Sequence, residues 1–164
     1  MGNIYMIAAC AKNGVIGNQG AIPWDIPGEQ KRFKDLTMNN IVIMGRRTYE
    51  EIGKPLPGRI MIILSSTKKF DGCYQAESIS EALVLAGEIA EEKDIFICGG
   101  AELYKLCMPY AKKLFITEIN LEVEGDTYFP DFDKSRFIKT VEKETDQYNY
   151  VTYVKKADEA ESEE

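Results

Sequence analysis

The sequence contains no histidine among its 164 residues. That absence excludes a Ser-His-Asp or Cys-His relay, an imidazole metal ligand, and any side chain whose unperturbed pKa lies between about 5 and 8. An enzyme built on this chain takes its proton donor from a tuned carboxylate, Tyr, Cys or Lys, or from water. Cysteine is sparse. Cys10, Cys73, Cys98 and Cys107 form no CxxC pair, and each except Cys73 sits in or beside an apolar run, so buried free thiols are expected. No run approaches transmembrane length. The first apolar stretch, Ile4 to Ala11, is too short for a signal-peptide core, has no basic residue before it, and carries Met6 where a myristoylation site wants Ser or Thr. These absences point to the cytoplasm, with no membrane partner. No GxGxxG occurs, nor GxxxxGK followed by Ser or Thr, so neither a Rossmann fingerprint nor a P-loop is present.

Positive charge is also in short supply, at 20 basic against 27 acidic side chains. The excess is local: Ala157 to Glu164 holds five acids and no base, leaving 22 acids against 20 bases elsewhere. A nearly neutral body offers no phosphate-tracking surface, so nucleic acid is not expected as a partner. The reading is one domain over residues 1–156, followed by an acidic, disordered tail over 157–164. A chain of this length buries roughly 70% of its unfolded surface and needs no disulfide or metal to hold a core.

Strand and helix signals alternate along the chain. Ile4 to Ala11 reads as a buried strand, and Lys12 to Ile26, with Asn13-Gly14, Gly17, Gly20 and Pro23, as a loop long enough to be a functional lid. Pro27 opens a helix to about Met38. A strand from Ile41 to Met44 leads through Gly45 into a helix, Arg46 to Ile52, closed by Gly53. Lys54 to Arg59 is a rigid turn before the strand Ile60 to Leu64. Ser80 caps a helix from Glu81 to Ala90, Asp94 to Cys98 is a strand, and Gly99-Gly100 begins a helix to about Cys107. Leu114 to Ile119, Arg136 to Glu142 and Tyr148 to Lys155 read as strands, the last two joined as a hairpin around Thr145-Asp146-Gln147. The pattern implies a single α/β domain: a central, mainly parallel twisted sheet with helices on both faces, ending in an antiparallel C-terminal hairpin.

Ligands of open α/β sheets collect at the carboxyl ends of the strands. At Met44-Gly45-Arg46-Arg47-Thr48 a helix N-terminus and two guanidiniums make a phosphate site, although two surface arginines would look the same. At Ile97-Cys98-Gly99-Gly100-Ala101-Glu102 paired glycines allow close backbone approach to a ligand, or simply a tight turn. Leu64-Ser65-Ser66-Thr67 offers hydroxyls at a strand end. One carboxylate draws attention, because Glu29 and Phe33 lie four apart and share a helix face. A solvated first-turn acid, held by the helix dipole, is the competing reading.

Taken in order, the motifs resemble the dihydrofolate reductases of bacterial type, from about Ile4 to Lys155. They are Asn13-Gly14-Val15-Ile16-Gly17; Ile22-Pro23-Trp24 with an acid five residues after the Trp; Ile43-Met44-Gly45-Arg46; Gly53-Lys54-Pro55-Leu56-Pro57-Gly58-Arg59; Gly99-Gly100-Ala101 with Tyr104; and Glu124-Gly125-Asp126-Thr127-Tyr128-Phe129-Pro130. The resemblance implies that NADPH delivers hydride to the pteridine ring of dihydrofolate while the neighbouring imine nitrogen gains a proton. Glu29 matches the family's acid in the substrate pocket, with Trp24, Thr117 and Tyr104 beside it as catalytic positions. Ile7, Ala8, Ala9, Gln30, Phe33, Ile52, Leu56 and Cys98 match the pterin and benzoyl pocket, and Arg59 matches the arginine that reads the glutamate-tail carboxylate.

The resemblance also implies the cofactor half. Gly45, Arg46, Arg47, Thr48, Leu64, Ser65 and Ser66 match the groups around the adenosine phosphate and pyrophosphate, and Cys98, Gly99, Gly100, Ala101, Glu102, Leu103 and Tyr104 match the second phosphate loop, with Gly99-Gly100 cis. Ala9, Ile16, Gly17 and Asp126 match positions at the nicotinamide and its lid. No metal is implied, antifolate inhibitors are expected ligands, and the expected state is a monomer. The chain departs from many relatives at Glu29, where they carry Asp, at Ile22, where they carry Met, and at Glu102, where some carry Arg. Two rivals stay open: a pyrimidine reductase of riboflavin synthesis, which shares the fold, and a noncatalytic nucleotide-binding module.

Overall fold

A strand covered on both faces needs a nearly continuous apolar run, and the chain supplies several. In the computed structural model, which describes residues 2–17 and 28–157, these become β1 (Ile4–Ala11), β3 (Ile41–Gly45), β4 (Ile60–Leu64) and β6 (Ile95–Ile97). With β5 (Tyr74–Ala76), β7 (Lys113–Ile119), β9 (Phe137–Glu144) and β10 (Tyr148–Lys155) they form one sheet in the order β5-β4-β3-β6-β1-β7-β10-β9. Every pairing from β5 to β7 is parallel, and the last two are antiparallel.

The helices divide between the faces of this sheet. Val42 and Met44 pack with Met61, Ile63 and Tyr49 of α2 (Arg46–Ile52). Ile41, Ile43 and Ile62 turn the other way, toward Ala82 and Ala86 of α3 (Ile79–Ile89) and Leu103 of α4 (Ala101–Cys107). Ile43 is fully buried among them, so trimming one methylene in Ile43→Val is expected to cost about 1 kcal/mol. A urea midpoint unchanged by that substitution would contradict the packing. The remaining helix, α1 (Glu29–Thr37), follows Gly28, whose φ of 88° lies in the left-handed region open to glycine.

Several expectations shift. The cap of α3 is Ser78, not Ser80: its Oγ accepts from the Glu81 N–H at 3.1 Å, while Glu81 Oε2 accepts from the Glu77 N–H at 3.2 Å. The Ser78 cap starts the helix two residues earlier than read. The stretch read as an unbroken loop contains a strand, β2 (Val15–Gly17), paired antiparallel with β8 (Thr127–Tyr128) and pinned by fully buried Val15. The short β5 was also missed, because three residues carry no periodicity and only Ala76 is buried. Cys10 and Cys107 are buried as expected, whereas Cys73 and Cys98 are half-buried. The helix expected to open at Pro27 begins instead at Glu29, because Gly28 before it is left-handed and breaks the helical path; residues 18–27, with most of the expected lid, and tail residues 158–164 lie outside the described residues.

The outer edge is protected. Apart from its first residue, β9 is exposed and carries Lys139, Glu142, Lys143 and Glu144, charges that discourage pairing with another chain. Among the described residues no helix is long and apolar enough to cross a membrane, and no group of Cys, Asp and Glu is arranged to hold a metal ion.

Candidate active site

Because α1 begins at Glu29, this carboxylate projects from the first turn of a helix lying against the sheet. Opposite it stands Thr117 of β7, fully buried and flanked by Ala9 of β1 and Tyr150 of β10. The Thr117 hydroxyl lies 3.0 Å from Glu29 Oε1 and 2.9 Å from Oε2, one donor shared by both oxygens. Burial pushes the Glu29 carboxyl above its ordinary range, opposed by the Thr117 hydrogen bond and by the charge of Arg32. The solvated first-turn acid is therefore the wrong reading of this residue. Phe33, one turn on, is half-buried on the same helix face, and Ile7 and Ala8 are buried in β1. The Tyr104 hydroxyl donates to the Ile7 carbonyl at 2.7 Å, fixing α4 against β1.

The far end of α1 carries the next feature. Thr37 donates to the Phe33 carbonyl at 2.7 Å and accepts from Arg59 Nη1 at 3.4 Å, while Arg59 Nε donates to the Pro57 carbonyl at 2.9 Å. The guanidinium is thus oriented before any ligand arrives. Eight helical steps separate Glu29 from Thr37, about 12 Å, so a tuned acid and a held arginine mark the two ends of one helix. Leu56 packs against the α2 side of the core.

At the carboxyl ends of β3 and β6 two further helices begin. Gly45 and Gly100 occupy their N-cap positions, and neither offers a side chain to cap the first-turn N–H groups. The two turns are tied together: Gly45 N–H donates to the Gly99 carbonyl at 2.9 Å, and Thr48 lies against Gly99 and Gly100. The Gly99-Gly100 peptide is cis. Arg46 and Arg47 are exposed beside this corner, Arg46 paired with Glu50 at 3.3 Å. Uncapped amides and two cations fit the phosphates of a dinucleotide.

The other residues singled out from sequence are spread around this frame. Ser65 is buried at the end of β4, accepting from Lys68 N–H, with Leu64 half-buried and Ser66 exposed. Ala101, Glu102 and Leu103 form the first turn of α4, with Glu102 exposed. Pairing of β2 with β8 brings Ile16 and Gly17 beside Thr127, which bonds Asp126. Gln30 and Ile52 are exposed, and Trp24 lies outside the described residues. Sequence reasoning missed Arg32, Glu142 and Tyr150, which surround the acid from α1, β9 and β10. The first was findable, since Glu29 and Arg32 are three apart on one helix face. A hollow of about 410 Å³ lined by Cys10, Glu118, Phe129 and Tyr153 is separate, on the sheet face opposite Thr117.

Comparison with known proteins agrees with this geometry. Residues 3–157 match the family model described as dihydrofolate reductase. The chain is 41% identical to dihydrofolate reductase type A13 of Escherichia coli over 152 residues, covering 92% of this chain and 90% of that protein. It is 37% identical to the dihydrofolate reductase of Bacillus subtilis strain 168 over 163 residues, covering 93% and 95%. Among solved structures, the dihydrofolate reductase from Enterococcus faecalis, complexed with NADP(H) and RAB-propyl, superposes with a TM-score of 0.83 at 31% identity, covering 94% of this chain and 97% of that one. With the partly buried acid, the oriented arginine and the paired glycine turns already in their places, these matches show that the chain belongs to the dihydrofolate reductase family.

Proposed function

We propose that this chain reduces 7,8-dihydrofolate to 5,6,7,8-tetrahydrofolate with NADPH, and that Glu29 both grips the pterin and supports its protonation. The observation that carries the reading is the partly buried Glu29 carboxylate, both oxygens within 3.0 Å of Thr117 Oγ1. When bound, NADPH would supply the hydride. The chain's own residues do the rest: ionised, the Glu29 carboxylate accepts from the 2-amino and ring N–H groups; protonated, the carboxyl gives its proton through water to the imine nitrogen and is left as the carboxylate. Elimination supports Glu29 as the acid. Burial pushes the Cys10 and Cys107 thiols up to about 12, and burial raises Cys98 as well. Tyr104 is committed to the Ile7 carbonyl, and burial keeps its phenol well above its ordinary value. Ile7 and Ala9, on the Thr117 face of β1, and Phe33 make the apolar wall against which a flat ring stacks, and Arg59 takes the tail carboxylate. Antifolates occupy the same pocket.

Arg46, Arg47, Thr48, Ser65 and the uncapped turns at Gly45 and Gly100 hold the cofactor phosphates. Arg46 is exposed and shared with Glu50, so its worth is discounted by solvent screening. Arg46→Ala is expected to weaken NADPH about fivefold and NADH hardly at all, roughly 1 kcal/mol. Equal weakening of both in a titration of nicotinamide fluorescence would move Arg46 away from the 2′-phosphate.

The four free cysteines suit a reducing cytoplasm, and the charged β9 edge suits a monomer. The reductase domain spans 1–156, with an acidic tail beyond it. A spectrophotometric assay decides the function: NADPH is oxidised when dihydrofolate is added. No oxidation with dihydrofolate, but turnover with an aminopyrimidine of riboflavin synthesis, would replace this reading with its nearest rival.

A further inference from the structure

Arg32 is an expensive residue where it stands. Its side chain is 12% exposed, and Nη2 is buried without a hydrogen-bond partner among the described residues, its nearest acid being Glu142 at 3.8 Å. The guanidinium lies over the Tyr150 ring, Cζ 4.1 Å from the centroid. An apolar side chain would fill this place on α1 without the cost of desolvating a cation. Only one of its contacts reaches the acid: Nη1 donates to Thr117 Oγ1 at 3.1 Å.

That contact fixes a direction. A guanidinium has donors and no acceptor, and a threonine hydroxyl has one proton. Thr117 must accept from Arg32, and its proton is left for Glu29, whose two oxygens share it. A hydroxyl so oriented favours Glu29 as an acceptor, the form that grips pterin N–H groups. We propose that Arg32 is a positioning residue that acts through Thr117, and by its own charge, to set the balance between the ionised Glu29 that holds the pterin and the protonated Glu29 that serves the reaction. The inference rests on the proposed role of Glu29.

The groups around this pair come from three elements. Glu29 and Arg32 lie on α1, Tyr148 and Tyr150 on β10, and Glu142 and Lys143 on β9, with Lys143 Nζ 5.8 Å from the Tyr150 ring centroid. Burial alone raises Glu29, and Arg32 is the cation that opposes it. Glu142 works against Arg32 from the far side, since it draws on the same guanidinium.

Two substitutions with opposite expected signs test this. In the full chain, the Glu29 carboxyl is titrated by carbon NMR on glutamate labelled at the side-chain carboxyl, with Glu29→Gln assigning the signal; hydride transfer is followed in parallel by stopped flow against pH. Arg32→Met is expected to raise the carboxyl midpoint by about one pH unit, and so to speed hydride transfer about tenfold at alkaline pH, a gain that structural damage does not produce. Arg32→Lys restores much of the charge and moves the midpoint less. Glu142→Gln, at an exposed strand, moves it down. If the carboxyl midpoint shifts as described while the rate profile stays still, the inference about Arg32 stands and the proton role of Glu29 falls. If the midpoint is unmoved in folded Arg32→Met, or in Glu142→Gln should Arg32→Met fail to fold, the inference is overturned.

Discussion

In a Glu29→Gln variant, single-turnover hydride transfer at neutral pH is expected to fall by about 100-fold or more, the usual scale for a positioned general acid. The amide keeps the shape and still accepts from Thr117, so the pocket is preserved while the exchangeable carboxyl proton is removed. The pH profile carries the same information. The reactive complex is the protonated one, so the wild-type rate is full below the Glu29 midpoint and falls about tenfold per pH unit above it. Burial moves that midpoint up, which extends the active range toward neutrality. In the variant the carboxyl step disappears from the profile. A near-normal single-turnover rate, or an unaltered step, would show that protonation does not depend on this residue.

The parts of this site that were legible in the sequence are those carried by short, local patterns. Gly45-Arg46-Arg47 and Gly99-Gly100 are each a strand end, a glycine and a helix start, and both ends of each pattern lie within a few residues. The apolar runs of β1, β3 and β4 announce themselves because parallel strands are covered on both faces. Glu29 was harder. Its partner Thr117 is 88 residues away, and only the sheet register, which sets Thr117 beside Ala9 and Tyr150, brings them together. The same register brings Glu142 and Tyr150 up to Arg32, so apart from Arg32, on the acid's own helix, the environment that tunes it could not be read from any one segment. The β2 and β8 pair was illegible for a different reason: two strands of three and two residues are too short for periodicity, and what holds them is a single buried valine and a bond from Phe129 N–H to the Gly14 carbonyl.

Loss of Arg59 is expected to weaken dihydrofolate about 30-fold in Arg59→Leu, close to 2 kcal/mol, within the range for a hydrogen-bonded ion pair. The structure explains why the interaction is effective. Arg59 Nε is held by the Pro57 carbonyl and one guanidinium nitrogen by Thr37, so little side-chain freedom remains to be lost when a carboxylate arrives. Burial lowers the proton affinity of the guanidinium, yet an arginine stays charged across the working range of pH. The contact lies about 12 Å along α1 from Glu29, too far to change as hydride is transferred. It is therefore uniform binding: KM should rise with kcat nearly constant. Arg59→Lys should recover only part of the loss, because an ammonium cannot reproduce a planar fork that is already half engaged by Pro57 and Thr37. The control is a dihydropterin without the glutamate tail, which both variants and the wild type should bind alike. If the tailless pterin loses as much affinity as dihydrofolate, Arg59 is instead holding the Pro57 turn and the end of α1 in shape.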